Sequence, residues 1–186
     1  MKRFSTKLLG WYALHKRALP WRQTKDPYVV WLSEIMLQQT RVAQGLPYFE
    51  RFWNDFPTVY DLAQASEDAV LKRWQGLGYY SRARNLHKAA KLVSEQYNGN
   101  FPSSFQELIK LPGVGPYTAS AIASICFDEL CAVVDGNVYR VLARHFDIDS
   151  PINQPAGIKT FQALAQTLID PKSPGAYNQA IMEFGA

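Results

Sequence analysis

The stretch LPGVGPYTA (residues 111–119) sets two glycines around a tight turn and follows them with a proline. Gly113 and Gly115 permit positive φ, and Pro116 brings the fixed φ that suits the first position of a helix. The segment reads as a turn between two helices. The second, Tyr117 to Phe127, is rich in Ala, Ile and Ser, so a neighbouring helix can approach it closely. Backbone N–H groups that converge at such a turn form an anion site without any side-chain charge. Alone, such a turn between two helices is in most proteins a plain connector and G-x-G a weak signal; the full string says more than its two glycines.

Outward from this turn, helix follows helix. Asp26-Pro27 is an N-cap with proline at the first helical position, opening the apolar stretch YVVWLSEIMLQQT, read as one long and mostly buried helix. Thr58 and Ser66 cap two short helices, the second with Glu67 and Asp68 in its first turn and Gly76 past its end. Tyr79 to Tyr97 is one amphipathic helix closed by Asn98-Gly99, and Ser104-x-x-Glu107 is a capping box for a short helix that ends at Pro112. Asp135 to Phe146, Pro155 to Ile169 and Pro174 to Ala186 complete an all-α chain of nine or ten helices. The one strand-like run, CAVVD, is short enough to be a buried connection. The last helix reaches Ala186 without capping residues, which reads as a fragment of a longer protein.

At 186 residues the chain can bury a core without staples, and 47% hydrophobic against 19% charged residues excludes a disordered tail. Cys126 and Cys131 make neither a disulfide framework nor a paired zinc motif, and read as reduced core thiols. No run approaches the roughly 18 apolar residues of a membrane span, and nothing targets the chain outside the cell. The net charge of +4 is unevenly spread: residues 1–25 carry seven Lys or Arg and residues 69–94 carry six, with no acid in either. Such stretches, interleaved with Trp and Tyr, resemble a phosphate-contacting surface, the alternative being two solvated helix faces.

Two carboxylates stand out. Glu34 is the only charged residue between Asp26 and Arg41, and its helical neighbours Val30, Trp31, Leu37 and Gln38 offer no cation. It is either exposed by a break in an apolar face or desolvated, and desolvation suits a carboxyl group to general-acid work near neutral pH. Asp135 precedes Gly136, Asn137 and a helix; it is an N-cap, and an ionised cap beside a cleft is also placed to stabilise a developing cation. One protonated and one ionised carboxylate in unlike settings is the pattern of acid-assisted glycosidic cleavage. His15, His87 and His145 are scattered and read as surface or capping residues.

Four stretches, in order, carry a resemblance: WLSEIMLQQTRV (31–42), QGLGYYSRARNLHKAA (75–90), LPGVGPYTASAI (111–122) and VVDGNVYRVLAR (133–144). Together they resemble the helix-hairpin-helix DNA glycosylase superfamily, and within it adenine DNA glycosylases of the MutY type, from Leu19 to Ala186. The resemblance implies two helical lobes with the active site in the cleft between them: a six-helix barrel, 27–127, containing the hairpin, and a lobe made of 1–26 with 128–186. It implies a monofunctional enzyme that hydrolyses the N-glycosidic bond of adenine opposite 8-oxoguanine or guanine in double-stranded DNA. Glu34 matches the general acid at adenine N7, Asp135 the stabiliser of the oxocarbenium ion, and Asn137 a polar residue that orients the catalytic groups. Tyr117 stands where bifunctional relatives carry a Schiff-base lysine. Leu37, Gln39, Thr40 and Tyr79 match residues that enter the duplex beside the flipped base; Trp21, Arg22 and Gln179 match the base pocket, with ordinary core as the alternative for Trp21. Gly113, Val114 and Gly115 match backbone contacts to phosphate.

Members of this family usually carry four cysteines for a [4Fe-4S] cluster directly after the position of Ala186, and then a domain that recognises 8-oxoguanine. Cys126 and Cys131 do not match those ligands, so no metal or other cofactor is expected within this chain. The resemblance further implies a monomer without membrane association, working in the bacterial cytoplasm at the nucleoid or in a eukaryotic nucleus or mitochondrion. A thymine mismatch glycosylase of the same superfamily and a non-catalytic DNA-binding module remain as alternatives.

Overall fold

Asp26 accepts a 2.9 Å hydrogen bond from the Tyr28 N–H, Thr58 and Asp61 close a reciprocal capping box, and the Ser66 and Asp135 side chains accept from Ala69 and Val138. These four caps start four of the helices in a computed structural model that describes residues 2–186. Met1 and the Lys2 side chain, the first cation of the amino-terminal basic stretch, lie outside the described residues. Among these, the elements are α1 (Lys2–His15), a 3-10 turn (Pro20–Arg22), α2 (Pro27–Met36), α3 (Val42–Asp55), α4 (Val59–Gln64), α5 (Glu67–Trp74), α6 (Ser81–Gln96), α7 (Phe105–Leu108), α8 (Pro116–Phe127), α9 (Gly136–Phe146), α10 (Pro155–Leu168) and α11 (Pro174–Gly185). The chain is all-α as expected, with eleven α-helices rather than nine or ten. The CAVVD run forms no strand.

The helices fall into two compact units, one of Pro20–Ala119 and one of Met1–Leu19 with Ser120–Ala186. Both bounds come earlier than the 27–127 expectation. Trp21 packs edge-on against Phe49 at 4.9 Å, which draws the Pro20–Arg22 turn into the first unit. In the second, a β-carbon on Gly175 would lie 2.6 Å from the Ile125 Cα, so α11 starts in close contact with the latter half of α8. The small residues of α8 permit that approach, as their pattern predicts.

In the first unit the core gathers Trp31, Phe52, Leu62, Trp74, Leu86 and Leu108, all fully buried. Burying such side chains is worth roughly 1.5–3 kcal/mol each before entropy is counted. The second unit is held around Leu142, Phe161 and Tyr177, with Tyr139 edge-on to Phe161 at 5.0 Å. Near its edge the Arg17 guanidinium makes a two-pronged ion pair with the nearly buried Glu183 of α11, at 2.6 Å for each prong. No helix among the described residues is long and apolar enough to cross a membrane.

Four local expectations are corrected. α2 stops at Met36, because residues 37–39 turn and Gln39 takes φ 55°. Ser104 does not cap α7: its hydroxyl meets the Glu107 side chain at 3.2 Å instead of a backbone N–H. Cys126 and Cys131 are half-buried, not core residues. His87 is not a surface residue: it is 2% exposed with its Nε2 unpartnered, and backbone groups of Ala63 and Ala65 at the end of α4 face its ring.

Candidate active site

In α2 every residue from Tyr28 to Met36 is buried except Glu34, which is half-buried. The break in the apolar face is therefore one side chain wide, and it leaves a carboxyl group at the rim of a desolvated helix. Beyond it the 37–40 turn separates its side chains. Leu37 folds back over α3, where a β-carbon on Gly45 would come within 2.8 Å of its Cδ2. Gln39 points into solvent, and Thr40 is half-buried, its hydroxyl donating to the Gln38 carbonyl at 3.3 Å. The Gln38 amide donates to the Thr118 hydroxyl at 3.4 Å, which links this turn to the first turn of α8.

The basic stretch 69–94 turns out to be largely committed within the protein. Arg82 is buried, Arg84 pairs with Glu67 at 3.2 Å, and Arg73 pairs with Asp55, leaving Lys72, Lys88 and Lys91 exposed and clear of ion pairs. Arg82 has no carboxylate partner. One Nη donates to the carbonyls of Ile35 (3.2 Å), Met36 (2.9 Å) and Gln38 (2.6 Å) and to the Thr40 hydroxyl (3.4 Å), and the other to Leu77 and Gly78 (3.3 Å each). Its Nε is buried and unpartnered. The cation lies over the Trp74 and Tyr79 rings at 5.3 and 5.7 Å. Burial lowers its pKa, opposed by Tyr79. Tyr79 itself takes φ 48° and is 64% exposed.

At the hairpin Gly113 adopts φ 77°, and a β-carbon there would come 2.8 Å from that of Asn85 on α6. Gly115 does not share the left-handed conformation that its sequence permits. The Val114 N–H is spent on the Leu111 carbonyl at 3.1 Å, so of the three amides expected to face an anion only those of Gly113 and Gly115 lack a hydrogen bond. Tyr117 is half-buried in the first turn of α8.

In the second unit the strap between α8 and α9 presents Asp135. Asn178, completely buried, accepts from the Val133 N–H at 3.2 Å and donates to the Cys131 carbonyl and the Ser124 hydroxyl at 2.8 Å each. Gln166 accepts from the Ala132 N–H at 3.0 Å and donates to the Leu130 carbonyl at 2.6 Å. At the end of the strap Asp135 uses one oxygen for the Val138 N–H (2.8 Å) and the other for the Asn137 amide (3.1 Å). The Asn137 carbonyl oxygen accepts from Arg140 at 3.2 Å, and the same guanidinium donates to the Gly185 carbonyl. Asp135 and Asn137 are thus joined as a pair. A carboxyl group with a hydrogen bond to each oxygen is fixed in orientation and keeps lone pairs for a cation.

The three expected base-pocket residues divide between the units. Trp21 is core in the first, Arg22 is half-buried beside it in sequence, and Gln179 of the second accepts from the Tyr12 hydroxyl at 2.9 Å. Sequence reasoning missed Arg82, Asn178, Gln166 and Arg140. The first was counted as surface charge; nothing in the local pattern of the others distinguishes them.

Residues 32–167 match the model of the HhH-GPD superfamily base excision DNA repair proteins. The chain is 47% identical to the adenine DNA glycosylase of Rattus norvegicus over 98% of its own length and 37% of the relative's. It is 41% identical to that of Buchnera aphidicola subsp. Schizaphis graminum, over 98% of itself and 53% of the relative. The chain therefore spans between about a third and about half of these proteins. A solved thermostable thymine-DNA glycosylase superposes with a TM-score of 0.89 at 29% identity, over 100% of this chain and 85% of that one.

Proposed function

Because the chain belongs to the HhH-GPD superfamily of base excision DNA repair proteins, we propose that it hydrolyses the N-glycosidic bond of adenine mispaired with 8-oxoguanine or guanine in duplex DNA. The observation that carries the chemistry is Glu34, the one half-buried residue in the buried run Tyr28–Met36. In this reading the carboxyl group gives its proton to adenine N7 as the general acid. The C1′–N9 bond then breaks with its electron pair moving onto the base, which leaves neutral. Asp135, held by Val138 and Asn137, faces the cation that develops on the sugar, and water adds at C1′ with loss of a proton. With Tyr117 in the place of an amine, no Schiff base forms and the product is an abasic site.

Gln39 and Tyr79, exposed on left-handed backbone, serve as wedges that fill the space of the flipped base, with Thr40 and Leu37 behind them. Gly113 and Gly115 offer amides to a phosphate, while Val114 supports the turn from within. Trp21, Arg22 and Gln179 serve the base pocket, Trp21 as its wall. The [4Fe-4S] cluster implied for longer family members finds no ligand set here: among the described residues no three His, Cys, Asp or Glu side chains are grouped to hold a metal. No step runs through it.

The test uses duplexes with A opposite 8-oxoguanine, A opposite guanine, and T opposite guanine, followed by alkaline cleavage of abasic sites. Excision from the two adenine duplexes is expected. Excision of thymine alone would replace this reading with the thymine one, and no excision at all would leave a DNA-binding module. Glu34→Gln should bind the mismatch yet lose at least about a thousandfold in single-turnover rate.

A further inference from the structure

Two turns that carry proposed wedge residues, 37–40 and 78–79, are separate in sequence yet share one internal hydrogen-bond donor. Both hold a non-glycine residue at positive φ, Gln39 at 55° and Tyr79 at 48°. An L side chain is sterically disfavoured there and persists only where the surroundings dictate it. In both turns the neighbouring carbonyls point inward: Gln38 on one side, Leu77 and Gly78 on the other, all toward the guanidinium of Arg82. Gln39 and Tyr79, next to these inward-turned carbonyls, are exposed, and Tyr79 keeps its ring within 5.7 Å of the guanidinium.

The guanidinium also receives the Ile35 and Met36 carbonyls at the carboxyl end of α2, where a cation meets the negative end of the helix dipole. It is planar, buried and unpaired with any carboxylate, so its charge is answered by backbone oxygens and by the faces of Trp74 and Tyr79. A lysine at this position would keep the charge but not the fork that spans both turns.

We propose that Arg82 is the positioning residue that locks the two wedge turns into one unit, so that Gln39 and Tyr79 enter the duplex together. The role in DNA rests on the adenine-excision reading; the coupling of the turns does not. Two measurements therefore separate them. In the free protein, amide hydrogen exchange should accelerate in both turns at once in Arg82→Gln and partly recover in Arg82→Lys. With DNA holding 2-aminopurine in place of the target adenine, the fluorescence rise on base flipping should vanish in Arg82→Gln. Its single-turnover excision of adenine should fall about a hundredfold, while affinity for fully paired duplex stays within about threefold because the exposed lysines are untouched. Val70→Ala, a core truncation in α5, controls for lost stability.

A folded Arg82→Gln protein with wild-type exchange in either turn overturns the proposal, as does one that flips and excises at the wild-type rate. An equal loss of flipping in Val70→Ala also overturns it by reducing the effect to general destabilisation. If the unaltered protein fails to excise adenine, the functional reading falls, and the exchange data alone decide the coupling of the turns.

Discussion

The first unit holds its site-bearing turns with a cation, and the second holds its strap with amides. Around Arg82 the groups to be satisfied are five backbone carbonyls and a hydroxyl. The 130–133 strap instead presents two C=O groups, Leu130 and Cys131, and then two N–H groups, Ala132 and Val133, and Gln166 and Asn178 each answer one of either kind. A guanidinium has five donors and no acceptor, whereas a carboxamide has both. Each unit uses the side chain whose hydrogen-bonding inventory matches the backbone it must hold. The cost also differs, since a buried charge must be desolvated and a buried amide much less so.

The largest effect that would test this contrast is Arg82→Met, which leaves the carbonyls unanswered and should cost about 4 kcal/mol or more in urea unfolding. Asn178→Leu comes next, at about 3 kcal/mol. Asn178→Asp should be little better than leucine, because a carboxylate cannot donate to Cys131 and Ser124, while Arg82→Lys should recover part of its loss. Full rescue by Asn178→Asp would break the distinction. Gln166→Leu, at the exposed end of the strap, should cost only about 1 kcal/mol.

The smallest effect concerns pH. Burial holds the His87 pKa below its ordinary 6.5, Lys91 adds to the depression, and backbone carbonyls near Ala65 oppose it. The unfolded chain takes up this proton before the folded unit does. The stability associated with neutral His87 is thus fully present above pH 6.5 and is lost as the pH falls from there through the lowered folded value. Between pH 7.5 and 5.5 the 20–119 unit should weaken by up to roughly 1 kcal/mol, a slope that His87→Leu flattens.

Most of the helical order was legible because it rests on local chemistry. Asp26, Thr58, Ser66 and Asp135 cap as their residue types suggest, and Gly113 turns where it must. α3 was not legible: Gly45 and Pro47 in VAQGLPYFERFWND argue against a helix. Yet Gly45, Phe49 and Phe52 make one buried helical face, and Pro47 falls on the solvent side, where its missing N–H is cheap. The end of α2 was misplaced because a residue 46 positions away from Met36 draws its carbonyls aside. Glu34 and Asp135 could be singled out from their neighbours in sequence. Arg82 could not, since a basic residue on an amphipathic helix gives no sign of facing inward until its acceptors are in place.

Asn178 takes hold of Cys131 through the backbone carbonyl, so the strap depends on the position and not on the sulfur. Burial, with Glu129 beside it, pushes that thiol up to about 11, which makes it a poor nucleophile at neutral pH. Cys131→Ala together with Cys126→Ala therefore gives a chain without reactive thiols whose strap is intact. A single new cysteine in place of the exposed Gln39 could then carry a fluorophore, turning the 37–40 turn into an optical reporter of its own surroundings.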